Sequence, residues 1–285
     1  MSRSKTSFDI LMQLWPMGKV VNRLGNWPVL GRLLRPWFGP EGNEAIIIPV
    51  HEAVRGAESL ILPFQLLTPL VEQATARTVL DECLCRRGEN CQRHPHDIGC
   101  LFLGDGANDI NPAMGQRAST EQALAHVQAA IEAGLVPLVV HSSFDSWMLG
   151  IPYRRSLAIC FCCDCCCSVR KGLRLGPAAF WDTVIRLPGL SVIAGPACTG
   201  CSACLDVCPV SAISLDGVRA RIGGLCKGCG RCAAACPEQA IVLQMAEDMD
   251  IEAQLCERIE QRTEIGPESN LQTRQRNSKG HGSRP

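Results

Sequence analysis

The chain has 285 residues, of which 19 are cysteine, with 46% hydrophobic and 20% charged residues and as many basic as acidic side chains. That length admits two domains, and that hydrophobic fraction lets most of the chain bury a core. No run of about 18 or more apolar residues occurs, which excludes a membrane-spanning helix; the nearest candidate, 45–70, is broken by Pro49, Glu52, Arg55, Glu58, Pro63 and Pro69.

Residues 1–43 form a basic arm, whose first forty residues carry Arg3, Lys5, Lys19, Arg23, Arg32 and Arg35 against Asp9 alone. Trp15, Trp27 and Trp37 lie in it, and Val29, Leu30, Leu33, Leu34, Trp37 and Phe38 fall on one helical face. Pro28 after Asn26 suits a first helical position, and Pro36 limits that helix to about two turns. Such a segment packs on the protein's own core, or docks a partner or an anionic membrane surface. The short, interrupted pattern favours packing.

Residues 44–190 read as an alternating α/β module rich in cysteine. Pro69 after Thr68 opens a helix to about Arg77, and a strand over 78–80 delivers Cys83 and Cys85. Ser119 with Gln122 makes a capping box, Gly134 ends that helix, and buried strands follow over 135–140 and 157–161. The cysteines fall into two groups: Cys83, Cys85, Cys91 and Cys100, then Cys160, Cys162, Cys163, Cys165, Cys166 and Cys167. They sit at strand ends, where open α/β sheets place their sites.

Adjacent residues of a strand face opposite ways, so Cys162 and Cys163 do not serve one metal corner. With a turn at Asp164, the same-side sets are Cys160 with Cys162, and Cys163 with Cys165 or Cys167. A further cluster on Cys83, Cys85, Cys91 and Cys100, or on a mixture of both groups, competes with a zinc knot that could add His94 or His96, and with a bank of reversibly oxidised thiols.

Residues 191–246 carry the strongest signal: Cys198-x2-Cys201-x2-Cys204-x3-Cys208-Pro209, repeated as Cys226-x2-Cys229-x2-Cys232-x3-Cys236-Pro237. Three thiolates at this spacing wrap one corner of a cubane, while the fourth of each run reaches the other half's cluster. Two [4Fe–4S] centres follow, one on Cys198, Cys201, Cys204 and Cys236 (cluster I), the other on Cys226, Cys229, Cys232 and Cys208 (cluster II). Structural zinc normally uses separated C-x2-C pairs instead. Ala212-Ile213 and Ala240-Ile241 extend the repeat, so each half reads as a ligand loop, a short helix and a strand. Residues 247–285, with apolar residues thinning from Glu257 onward, read as a mostly disordered tail.

Over 192–246 the chain resembles the bacterial 2[4Fe–4S] ferredoxin domain. Over 44–245, the order Cys83-x-Cys85-Arg86, Cys91, Asp97-Ile98-Gly99-Cys100, then Cys160-x-Cys162-Cys163-x-Cys165-Cys166-Cys167 resembles a group of uncharacterised ferredoxin-domain proteins with a Cys-rich module ahead of a dicluster domain. Phe161 stands where that group usually has Asn, and a phenyl ring can neither ligate nor hydrogen-bond as an amide does. The resemblance implies an α+β protein, a ferredoxin-like domain preceded by the α/β module, that binds iron–sulfur clusters and carries no assigned reaction.

Other signals are weak. Gly104-Asp105-Gly106 lacks the third glycine of a dinucleotide loop and reads as a solvent-facing turn. Asp81, Glu82 and Asp97 read as solvated charges, His126 as packing, and His141 and Asp145 as weak site candidates; Cys256 has no evident partner.

The expectation is a cytoplasmic electron carrier or oxidoreductase subunit with two [4Fe–4S] clusters and one or two further clusters or zinc. Its partners would be a redox donor and acceptor, since no basic stripe with aromatics points to nucleic acid. The thiol-rich chain without a leader suits a reducing, anaerobic or oxygen-shielded compartment. A reductase with an N-terminal metal centre, or a metal- or cluster-delivery module, are the alternatives. Lys227 and Arg231 beside cluster II, against Asp206 and Glu238 beside cluster I, give cluster II the higher potential.

Overall fold

The computed structural model describes residues 2–27, 29–33, 39–49, 63–163, 165–176, 178–246 and 249–266. Pro28, Leu34, Pro36, Trp37, Phe38 and Asp164 lie outside the described residues. So do 267–285 of the expected tail.

Seven strands form one sheet: β1 (Asn43–Ile47), β2 (Arg77–Leu80), β3 (Leu101–Leu103), β4 (Gly115–Arg117), β5 (Val136–Ser142), β6 (Leu157–Cys162) and β7 (Val184–Arg186), in the order β4-β2-β3-β6-β5-β1-β7. Helix and strand alternate along much of the chain, as expected. Even so, only β1 and β7 pair in parallel, and every other neighbour is antiparallel. The element after β5 shows why. The helix Ser143–Leu149 has 7 residues, about 10 Å at 1.5 Å per residue, too short to carry the chain back along a 7-residue strand of about 23 Å. The sheet is therefore not the open parallel kind, and its clustered cysteines are not at a topological switch point.

The capping box at Ser119 forms as expected, with Gln122 Oε1 accepting from the Ser119 N–H at 2.9 Å. The helix it starts, Thr120–Glu132, buries Ala123, Val127 and Ala130. Pro69 does not open a helix: it lies inside Pro63–Gln73, where the buried Leu66, Leu67, Leu70 and Val71 decide the matter by packing. Thr68 Oγ1 donates to the Phe64 carbonyl at 2.8 Å inside this helix.

The arm packs on the protein's own body along its first helix, Lys5–Gln13, through the buried Phe8 and Met12. Arg87 joins it to the module by bonding Asp9 and Glu82, each at 2.7 Å, and Trp15 Nε1 donates to Glu89 at 3.3 Å. Beyond this, Met17, Val20, Trp27, Val29 and Leu33 are exposed among the described residues.

After the sheet come β8 (Leu190–Ala194), the helix Ala203–Val207, β9 (Ile213–Asp216), β10 (Arg219–Ile222), the helix Arg231–Ala234 and β11 (Ile241–Met245). The unit is a strand, ligand loop, helix and strand, made twice. β9 pairs antiparallel with β10, and β8 with β11, so the outer strands tie the two halves together. Leu190, Val192, Ile241 and Leu243 join the same buried cluster as Ile46 and Leu67 of the larger sheet. One core serves both parts.

The tail expectation is corrected at its start. Residues 251–262 form a helix whose Ile251, Leu255 and Ile259, four apart, are buried against that core, and Ile265 follows them in. Glu44 accepts from Arg258 at 2.9 and 3.0 Å and also meets Arg262 at 3.3 Å, which ties the helix to β1. Thin apolar content misled the sequence reading because the few apolar residues all lie on one face.

Candidate metal centres

Glycine and positive φ angles shape the loops of the C-terminal unit. Gly200 and Gly228 have φ of 71° and 70°, and the same left-handed turn recurs at Ser202 (69°) with Gly230 (76°), and at Ser211 (51°) with Gln239 (48°). Each member of these pairs occupies the corresponding place in the two halves. A Cβ at Gly228 would lie 2.5 Å from Leu190 Cδ2, so the residue is fixed by space as well as by conformation. The bent loops turn backbone N–H groups toward sulfur: Ala212 to Cys208 at 3.2 Å, Ala220 to Cys198 at 3.3 Å, Gly228 to Cys226 at 3.4 Å and Ala240 to Cys236 at 3.3 Å. Such donors stabilise thiolate over thiol.

Cys198, Cys201, Cys204 and Cys236 line one hollow, together with Leu215, Ile241 and Glu238. Cys236 belongs to the second run by sequence, yet it faces three cysteines of the first. The other quartet is mirrored electrostatically: burial, then the nearby Cys229, Cys226 and Cys208, pushes the Cys232 thiol up to about 12. Four soft donors around one hollow, with N–H groups aimed at their sulfurs, fit an iron–sulfur cluster.

The ten N-terminal thiols are divided by the sheet. Along β6, Ile159 and Phe161 enter the core on one face while Cys160 and Cys162 meet the other; Cys163 then returns to the first. Cys91, Cys163, Cys165 and Cys166 come together there, all four Sγ atoms within 4.8 Å of one another. Burial opposes ionisation of Cys91, but N–H donors from Arg93 and His94 and a bond from Cys166 bring it down to about 7. Burial pushes Cys165 up to about 11.

The opposite face gathers Cys100 and Cys160 (Sγ to Sγ 3.4 Å) and Cys162 and Cys167 (2.9 Å), with Cys83 bonded to Cys100 and Cys85. Cys85 Sγ also meets Ser168 Oγ at 3.2 Å. A hydrogen bond with Cys100 pushes Cys83 up to about 12, and one from Cys162 brings Cys167 down to about 7. The expected grouping of Cys91 with Cys83, Cys85 and Cys100 is therefore split, and Cys167 joins Cys162 rather than Cys163. Between this face and the C-terminal unit lies a second hollow, lined by Cys162, Val169 and Arg170 on one side and by Pro209, Cys229 and Arg231 on the other.

His96 Nε2 meets the Cys91 carbonyl at 2.8 Å, so it supports the loop's backbone rather than standing among the sulfurs. His126 Nε2 contacts the Gly99 carbonyl at 2.8 Å and its ring meets Phe161 edge-on, a packing role as expected. His141 is stacked on Tyr153, and burial lowers it to about 4; the half-buried Asp145 is pushed up to about 6 by the same cause. Glu82 pairs with Arg87, and Gln73 Nε2 donates to Cys256 Sγ at 3.8 Å. Gly106 and Ala107 are buried in a 3-10 turn against Ser156, not facing solvent.

Arg86 is the residue that sequence reasoning passed over. It is fully buried, donates from Nη1 to the Phe161 carbonyl at 2.8 Å and from Nη2 to the Ile98 carbonyl, and its charge acts on Cys83. Its position between Cys85 and the ligand-bearing strand was the available signal.

Fold and thiols together define an iron–sulfur protein with a ferredoxin-type binding unit, a class whose members exchange electrons with redox partners. Residues 223–242, which hold Cys226, Cys229, Cys232 and Cys236, match the family model described as 4Fe-4S binding domain. No curated protein and no solved structure matches the chain. No helix among the described residues is long and apolar enough to cross a membrane.

Proposed function

We propose that the protein relays single electrons through two [4Fe–4S] clusters, cluster I on Cys198, Cys201, Cys204 and Cys236, and cluster II on Cys226, Cys229, Cys232 and Cys208. The observation that carries this reading is the single hollow shared by Cys236 with three cysteines of the other run. Each cluster, when bound, supplies one-electron chemistry. The chain's own residues supply the thiolates, aim N–H groups at four of the sulfurs and set the apolar side chains of Leu215 and Ile241 beside one hollow.

The thiols Cys83, Cys85, Cys100, Cys160, Cys162 and Cys167 form a further redox centre on this reading. The hollow reaching from Cys162 to Cys229 gives that centre a direct approach to cluster II. An electron donor and an acceptor complete the path, and the exposed apolar row of the basic arm from Met17 to Leu33 offers one of them a docking face.

Charge sets the order of the two potentials. Arg231 lies on the hollow beside Cys229, while Lys227 is turned away to donate to the Trp181 carbonyl at 2.7 Å. Glu238 stands at cluster I. A positive neighbour favours the more negative, reduced cluster, so cluster II has the higher potential, with Arg231 and Arg170 the cations at its hollow. An anaerobic potentiometric titration followed by electron paramagnetic resonance tests the function and this assignment together. At least two one-electron steps are expected in the native protein, and of the two that belong to clusters I and II the higher is lowered in Arg231→Gln and the lower is unmoved. A protein with no reducible centre would refute the relay, and equal movement of both steps would refute the assignment.

A further inference from the structure

We infer that Cys91, Cys163, Cys165 and Cys166 hold a single zinc ion, a site separate from the redox centres. A tetrahedral ion with Zn–S bonds of about 2.3 Å sets its ligand sulfurs about 3.8 Å apart. Here Cys91 and Cys165 stand 3.5 Å apart, Cys165 and Cys166 3.5 Å, and Cys163 and Cys165 3.8 Å. Among the described residues this is the one group of three or more ligand atoms drawn so close together; the quartet of Cys198, Cys201, Cys204 and Cys236 surrounds a hollow instead. A cubane attaches each thiolate to a different iron and so needs the wider arrangement.

Local backbone geometry agrees. Cys163-x2-Cys166 has the spacing of a zinc-binding turn, and the Cys166 N–H donates to Cys163 Sγ at 3.2 Å. Cys91 lies on the loop after the helix Leu84–Gly88, far away in sequence, so its bond to the ion would clasp that loop to the segment leaving β6. The clasp has a purpose in the fold. Cys162 and Cys167 flank the clasped residues and turn to the other face of the sheet, so the clasp fixes the spacing of Cys167 from Cys162, the thiol that lines the hollow reaching Cys229. All four sulfurs are consumed by the ion, which leaves it closed to substrate, as structural zinc sites are.

The test is metal analysis of the full-length protein purified without oxygen. About one zinc per chain is expected beside the iron, lost in Cys165→Ser and kept in Cys91→His, because zinc accepts three thiolates and an imidazole. Cys201→Ser should lose iron and keep the zinc, which separates failure of this site from failure of the electron relay. Cobalt replacing the zinc in the unaltered sequence should give the intense visible bands of a tetrahedral thiolate site, a readout that needs no variant to fold. Absence of zinc, iron in its place, or full zinc retention in Cys165→Ser would each overturn the inference.

Discussion

Cys201→Ser and Cys236→Ser, combined in one chain, are expected to remove no more iron than either alone, about four atoms per chain. Cys201 belongs to the first ligand run and Cys236 to the second. If each run held its own cluster, the two losses would add to about eight irons. On the proposed crossing they are ligands of one cluster, as their shared hollow with Cys198 and Cys204 suggests, so the second substitution finds nothing further to release. Cys201→Ser with Cys229→Ser is the control that should lose both clusters. An additive loss in the first pair would refute the crossed ligation and with it the interlocked arrangement of the two halves.

The second large effect is expected at Arg86. Replacing it with Met removes the donors to the Phe161 and Ile98 carbonyls, both in a region where water does not reach the side chain. Each buried carbonyl left without a donor costs about 1–3 kcal/mol, so a loss of roughly 2–5 kcal/mol of stability is expected. Arg86→Lys should restore little, because an ammonium cannot span two carbonyls with the fixed fork of a guanidinium. Anaerobic denaturant titration of the metal-loaded proteins measures both. A change below about 0.5 kcal/mol for Arg86→Met would place the residue among ordinary surface substitutions and contradict its structural role.

How much of this could be read from the chain depends on whether the chemistry is local. The ferredoxin unit was legible because its ligand spacing, glycines and repeat lie within one short segment, and the strand before each ligand loop was the only element left unread. The alternation argument also separated Cys162 from Cys163 before any fold was known, since period-two side-chain direction is a property of strands in general. What the sequence could not supply was the choice of partner across the sheet. Cys91 follows Cys85 closely in sequence, but the helix Leu84–Gly88 and the turn after it carry it to the face of Cys163, and only tertiary packing decides that. The C-terminal helix shows the same limit. Its Ile259 reads as a stray apolar residue until β1 supplies Glu44 for Arg258 and the core supplies a surface for one face.

The most direct test of the account is the count of iron and acid-labile sulfide in the full-length protein purified without oxygen. Two clusters in the C-terminal unit require at least about eight irons per chain with matching sulfide. About four or fewer, in protein that is otherwise folded and fully loaded, would contradict the two-cluster relay.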